Sequence, residues 1–341
     1  MKTRQLTILA GVAAISVVAT ALVLRTSAPT VASDRRGEPV LPSLVSRAND
    51  VTAVTVREGT ETLAIERRDN RFVTAESGFP VKTDAVRELL ASSGELRFEE
   101  ARTSDAARYG ELGLADPGTK GNDKDGAVVA GKEVIVRASA SELADFVVGS
   151  RDPTVGGPVG GVYVRLKGGP QTFLARGNVQ LPSSRSDWFV AVDLDVKRSE
   201  IKKIELSGGG REDVTANAEK PGELTLANVP EKRVADTFKV SRLGTLVESF
   251  TFQDVRKATK PADDARRMVV DAGDGLRLTF TSVGDITQGW VQIAAESTND
   301  ATKDKAKLIA SKVDGYDFKL PSNQAEIIGW TINDVTDEPK G

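Results

Sequence analysis

The chain of 341 residues contains neither cysteine nor histidine. Without Cys there are no disulfides, thiolate nucleophiles, Cys-ligated zinc or iron–sulfur sites, and no lipid anchor on an N-terminal Cys. Without His the commonest general base near neutral pH and the commonest transition-metal ligand are both missing, and a Ser-His-Asp triad cannot exist. Any enzyme built on this chain would have to use carboxylates, Lys, Tyr or a Ser–Lys pair. Aromatics are sparse at 5%, so the core is expected to be aliphatic. Basic runs are also lacking. The formal net charge is −3, and residues 1–33 hold three basic and no acidic residues, which leaves −6 on the rest. Phosphate binding needs clustered Lys and Arg, so nucleic acid is not an expected partner.

One long apolar run is present. Lys2 and Arg4 precede nineteen uncharged, mostly apolar residues, Leu6 to Leu24. As a helix this run is about 28 Å long, close to the hydrocarbon thickness of a bilayer. Secretory signal cores are shorter, so the length points to an uncleaved transmembrane helix with a cytoplasmic head at 1–5 and an anchor at 6–24. The alternative is cleavage near Thr30-Val31-Ala32, which would release the body. Arg25, Arg35 and Arg36 nearly balance the positive charges ahead of the run, so charge alone does not orient it. The short head and large following body resemble an export signal, which places the body in the periplasm of an inner-membrane protein. Residues 25–45, rich in Pro, Ser and charge, read as a flexible tether.

The body contains a concealed duplication. Val54 and Val56 alternate as in a strand, Gly59 marks a turn, Leu63 and Ile65 form a second strand, and Asp69-Asn70 turns into a third strand at Phe72. A helical period follows, with Val86, Leu89, Leu90 and Ser93 on one face. Thr83 or Asp84 is expected to cap its start, and Gly94 to end it in the left-handed conformation. Ile204 and Leu206 repeat Val54 and Val56 at an offset of 150; Val240, Leu243, Phe250 and Phe252 repeat Val86, Leu89, Leu96 and Phe98 at an offset of 154. "KEVIVRAS" is echoed by "RRMVVDAG", and "GGVYVRL" by "QGWVQIA", in the same order. The expected fold is therefore α+β. It comprises two similar β-rich lobes, each an antiparallel meander plus a helix plus hairpins, at 46–199 and 200–335, with a frayed tail at 336–341.

The glycine-dense run "DPTVGGPVGGVYVRLKGGPQTFLAR", 152–176, does not cradle phosphate. Dinucleotide and P-loop fingerprints need a helix after the glycines, or a Gly-Lys-Ser/Thr ending. Here Gly160 and Gly161 lead into the alternating "VYVRL", so the glycines are turn punctuation, and no nucleotide or other cofactor is expected. "GNDKDGAVVAGKE", 121–133, fails the calcium-loop pattern at Gly121 and Lys132. Asp193 and Asp195 share one face if they lie on a strand and could then hold a divalent cation. Oxygen sites usually need further ligands, so a solvated edge with Lys197 and Arg198 as counter-charges is the favoured reading. The two adjoin too closely for a convincing glycosidase pair. Trp188 and Trp290 are candidate ligand contacts in a cleft between the lobes. No catalytic constellation emerges.

The run "RYGELGLADPG", 108–118, resembles the Tyr-Gly-Leu-then-Pro signature of the bacterial family domain of unknown function 4340. Tyr109, Leu112, Gly113, Leu114 and Pro117 carry the resemblance as a structural motif. It covers about residues 45 to 200 well and the second half more loosely. This copy departs by reading Tyr-Gly-Glu-Leu-Gly-Leu and by inserting a polar run at 118–126. The resemblance implies an envelope protein beside gliding-motility-type ABC transporter auxiliary proteins, and it brings no catalytic residues. The combined expectation is a non-catalytic, membrane-anchored accessory protein that contacts an envelope or transporter protein. The alternative is an envelope glycan- or lipid-binding protein using the inter-lobe cleft.

Overall fold

The computed structural model describes residues 35–119, 129–155, 157–273 and 275–339. The expected head, membrane helix and first part of the tether, and residues 120–126 of the polar run, lie outside the described residues. Among the described residues no helix is long and apolar enough to cross a membrane.

The expected tether is already structured by Arg35. Val40, Leu41 and Leu44 are buried, the last on helix α1 (Pro42–Arg47). Residues 37–40 run beside strand β4 (Arg97–Ala101): Val40 N–H donates to Leu96 O at 3.0 Å and Phe98 N–H to Glu38 O at 3.0 Å. The apolar triplet Val40, Leu41 and Leu44 overrides the Pro- and Ser-rich composition around it, because its burial in lobe 1 removes apolar surface from water.

Alternation builds the meander β1 (Ala53–Glu58), β2 (Glu61–Arg68) and β3 (Arg71–Thr74), with Val54, Val56, Leu63 and Ile65 facing inward. Asp69 and Asn70 take φ of 45° and 65°, as a tight two-residue hairpin turn requires. Helix α2 (Thr83–Gly94) covers the inner face with Val86, Leu89, Leu90 and Ser93. Its ends differ from expectation. Lys82 is the N-cap and no side chain caps the helix; Gly94 stays inside the helix and Glu95 closes it in right-handed geometry. Strands β5 (Lys132–Ala138), β6 (Ser141–Asp152), β7 (Gly161–Leu166) and β8 (Thr172–Arg176) complete an eight-stranded antiparallel sheet of order β3-β2-β1-β5-β6-β7-β8-β4.

Lobe 2 follows the same plan. Its strands are β9 (Ile201–Ser207), β10 (Val214–Lys220), β11 (Glu223–Leu226), β12 (Val234–Ala235), β13 (Asp254–Lys257), β14 (Arg267–Ala272), β15 (Leu276–Ser282), β16 (Trp290–Ser297), β17 (Tyr316–Lys319) and β18 (Thr336–Asp337). The second eight-stranded sheet has the order β11-β10-β9-β14-β15-β16-β17-β13. Matching β1 to β9 and β4 to β13 makes the two orders identical, and the register agrees: Val54 pairs with Val136 as Ile204 pairs with Val270. The helix of this lobe is broken into α3 (Thr237–Arg242) and α4 (Thr245–Glu248). Lobe 2 also gains α5 (Lys303–Val313), where lobe 1 has only a turn, and α6 (Ser322–Gly329). The expected frayed tail is partly ordered, since Thr336 is buried and β18 pairs with β12.

The lobes share one continuous apolar core. Phe79, from the loop after β3, lies 5.0 to 6.0 Å from the ring centroids of Phe189, Phe252, Tyr316 and Phe318, all edge-on. Edge-on aromatic pairs add about 0.5–1.5 kcal/mol each beyond area burial. The sparse aromatics are thus concentrated where the aliphatic lobes meet. The connecting segment is pinned as well: Val192, Leu194 and Val196 are buried, and Arg185 binds Asp254 at 2.7 Å and Thr62 O at 3.1 Å.

Candidate functional site

The signature residues form a plug on the outer face of the first sheet. Tyr109 and Leu114 are buried against Val147, with Leu112 and Tyr163 at the margin. The Tyr109 hydroxyl donates to Pro170 O at 2.5 Å, and the Arg165 guanidinium lies 4.7 Å from its ring centroid. Three glycines make room for this plug. At Gly113, φ is 67°, and an added Cβ would stand 2.7 Å from Ser150 Oγ; at Gly149 it would stand 2.4 Å from Leu112 O, and at Gly131 2.7 Å from Gly113 O. The signature is therefore a close backbone approach, which only glycine permits. Pro117 sits at its rim beside a cavity of about 310 Å³.

That cavity is bordered by a charge cluster that sequence reasoning missed. Arg165 donates to Leu114 O at 3.3 Å and to Asp116 at 2.6 Å, and Lys167 also reaches Asp116, at 2.9 Å. Glu133 is buried between Arg57, at 2.7 Å, and Lys167, at 3.2 Å. Burial opposes the charge on Asp116 and Glu133, but hydrogen bonds from Lys167 and Arg165 to the first, and from Arg57 and Lys167 to the second, hold both carboxyls below their ordinary range. Asp145 behaves oppositely. Its Oδ1 is buried without a hydrogen-bond partner, and burial, aided by Glu133 and Glu142, holds its carboxyl above the ordinary range. Strand alternation put these residues on one face, but the signal that joins them, pairing across β5, β6 and β7, exists only in three dimensions. Asp116 and Glu133 are thus interlocked with Arg57, Arg165 and Lys167, while Asp145 faces the same cavity with one oxygen unpaired.

The larger opening lies in lobe 2, a groove of about 650 Å³ between the β15–β16 turn, the end of β17 and α6. Trp290 and Trp330 line it, with Gln253, Lys319 and Ser322 among the polar groups. Arg256 stands over the Trp290 ring at 4.1 Å and Arg242 over Trp330 at 5.0 Å. The Trp290 contact is duplicated: Arg102 stands over Tyr163 at 5.8 Å in lobe 1. Two indoles beside amide, ammonium and hydroxyl donors suit a hydroxyl-rich ring ligand. The groove carboxylates are engaged locally, Glu326 by Arg242 at 2.5 Å and Asp334 by Thr331 N–H at 2.7 Å. The sequence offers Trp330 as a stacking candidate but does not join it to Trp290, because α6 and the segment after it have no counterpart in lobe 1.

Other candidates are placed elsewhere. Trp188 is buried and borders a different cavity, of about 400 Å³, with Val56, Leu63 and Pro182, so it does not share a cleft with Trp290. The aromatic core fills the junction where the inter-lobe cleft was expected. Asp193 and Asp195 are not on a strand. Asp195 takes φ of 49°, its N–H donates to Asp193 at 2.7 Å, and Lys305 lies 3.4 Å from its carboxylate. Among the described residues no group of three or more acids is placed to hold a metal ion. Gly157 and Gly160 take φ of 64° and 78° at the start of, and just after, a single 3-10 turn, which leads into strand β7 and not into an α-helix.

No curated protein and no solved structure matches the chain. The sequence model of one family, Domain of unknown function (DUF4340), matches residues 72–267. The match starts later than the resemblance suggested and runs into lobe 2, spanning β3, the signature plug, the lobe junction and the second meander. With more than half of its length covered in this way, the chain belongs to the DUF4340 family.

Proposed function

We propose that this protein is a non-catalytic accessory module, anchored in the inner membrane by Leu6–Leu24, with its body in the periplasm, where it contacts an envelope or transporter protein. The observation that carries this reading is the pairing of its charged side chains. Asp116, Glu133, Arg165 and Lys167 are locked in mutual bonds, the groove carboxylates are tied to Arg242 and Thr331, and of the cluster's carboxyls only Asp145 has a buried oxygen without a hydrogen-bond partner. Such groups hold a shape and are not poised to transfer protons. A C-terminal periplasm-dependent reporter fusion should be active and membrane-bound, and cross-linked membranes should yield an envelope partner. A cytosolic body, or the absence of any such partner, would refute the reading.

The groove supports a second reading, that the module also binds a glycan. Soluble envelope glycan fragments should change the intrinsic fluorescence of the full chain in detergent. Trp290→Phe and Trp330→Phe should each abolish most of that response, while Trp188→Phe preserves it. A response carried by Trp188 would discard this reading.

A further inference from the structure

The two lobes finish one sheet edge differently. In lobe 1 the free side of β3 is covered by the chain itself: Thr74 N–H donates to Phe79 O at 2.9 Å and Val81 N–H to Phe72 O at 2.9 Å. In lobe 2, β11 occupies the place of β3, with Leu226 where Thr74 stands and Leu224 where Phe72 stands. The covering segment has been diverted. At the offset of 154, Arg233, Val234 and Ala235 correspond to Phe79, Pro80 and Val81, yet Val234 and Ala235 pair with Asp337 and Thr336. Arg233 is held there too, donating to Thr336 Oγ1 at 2.6 Å. Among the described residues no strand or bridge lies on the free side of β11.

We propose that the free edge of β11 docks an extended segment of a partner polypeptide, apolar at alternate positions and basic between them. An unpaired edge presents a row of N–H and C=O groups that an added strand satisfies, and alternate side chains then set specificity. Lobe 1 supplies the template for the apolar positions, since Phe79 and Val81 are both buried. The surroundings in lobe 2 fit the same chemistry. Phe238, on helix α3, which packs against β11, is 72% exposed, and Val229, three residues past β11, is 41% exposed, while Asp84 occupies the place of Phe238 in lobe 1. On the other face Glu223 bonds Lys220 at 3.6 Å, which leaves exposed Glu219 of β10 as the net charge near the edge and favours a basic partner strand. A second copy would bring the same acids to the edge and is a poorer occupant. This surface is separate from the groove, so the inference stands even if the groove binds nothing.

Amide hydrogen exchange of the full chain in detergent tests it, using as probe an acetylated octapeptide in which Val alternates with Lys. The outward Leu226 amide should exchange rapidly in the free protein and slow at least tenfold with saturating peptide. Leu226→Pro removes that donor without touching the ladder to β10 and should abolish binding, while Thr225→Val should retain it. The proposal is overturned if Leu226 is already protected in dilute protein, or if saturating peptide leaves its exchange unchanged. Protection that rises with protein concentration in the absence of peptide would assign the edge to a second copy instead. The exchange measurement on the unaltered chain decides the matter even if the Pro variant misfolds.

Discussion

Gly149→Ala tests whether the family signature is a packing device. An added Cβ would stand 2.4 Å from Leu112 O and 2.9 Å from Leu114 Cγ and Cδ2. Normal carbon–oxygen contact needs nearly 1 Å more, and the obstructing atom is backbone, so no rotamer change can relieve it. The 106–114 segment must lift, which opens the small cluster of Tyr109, Leu114 and Val147. Overpacking of this kind costs about 3 kcal/mol, the upper end of its usual range. For a chain of this size about 2 °C is lost per kcal/mol, so the melting temperature should fall by about 6 °C. Gly168→Ala is the control, because a Cβ there meets nothing within 4 Å. Differential scanning calorimetry gives the shift, and hydrogen exchange across 106–116 locates it. If Gly149→Ala melts with the control, the plug is not held by close approach and the structural account of the signature fails.

Phe79→Ala removes the ring that touches Phe189 and, across the junction, Phe252, Tyr316 and Phe318, and should cost about 3–5 kcal/mol. Calorimetry should then resolve two transitions where a single one is expected of the parent, as the lobes uncouple. Asp145→Asn should stabilise the protein at neutral pH. The Asp145 carboxyl is held above its ordinary range in the fold, so the parent loses stability as pH rises from about 4 through that raised value. Denaturant titrations should show the variant's advantage vanish below the ordinary range. Glu133→Gln has the opposite sign: its carboxyl is held low, so the stability is present above about 4.3 and lost as pH falls through the lowered value. The variant should be weaker at pH 7 by about 1.5–3 kcal/mol and converge with the parent in acid. Arg266, 1% exposed, donates to the carbonyls of Ile328, Gly208, Glu212 and Trp330, which tie α6 to the β9–β10 turn. Lysine cannot span that fork, so Arg266→Lys should cost about 2 kcal/mol by urea denaturation.

The meander, the helix and the duplication were legible because they rest on local periods. Val54, Val56, Leu63 and Ile65 alternate at period two, Val86, Leu89 and Leu90 recur at the helical period, and both sets are buried. Asp69-Asn70 announced its turn for an equally local reason. What could not be read depends on contacts distant in sequence. The order of Val40, Leu41 and Leu44 comes from lobe 1, and the burial of Trp188 from a linker that turns back over β1 and β2. The helix caps misled because Thr83 and Asp84 are as competent as Lys82 is poor, and the choice was made by Lys82 N–H binding Trp188 O at 2.8 Å. Trp330 joins Trp290 only through α6, an addition with no internal counterpart to compare. The signature residues were visible, but not their reason, since Gly131 and Gly149 lie far from Gly113 along the chain.

Duplication also suggests where recognition resides. Two copies of one lobe start with the same edges and faces, so a feature completed in one copy and left unfinished in the other reflects a different demand on each. In lobe 1 the sheet edges are covered: residues 37–40 lie along β4, residues 79–81 along β3, and the Tyr109–Leu114 plug packs on the outer face. Lobe 2 spent its additions differently. Helix α6 walls a groove, and β18 draws Val234 and Ala235 away from β11. Leaving an edge and a groove open forgoes hydrogen bonds and apolar burial that lobe 1 secures with the same plan. The shared aromatic core offsets that loss, because Phe79 ties lobe 1 to lobe 2. Lobe 1 thus has its sheet edges covered, whereas lobe 2 keeps the β11 edge and the groove uncovered among the described residues.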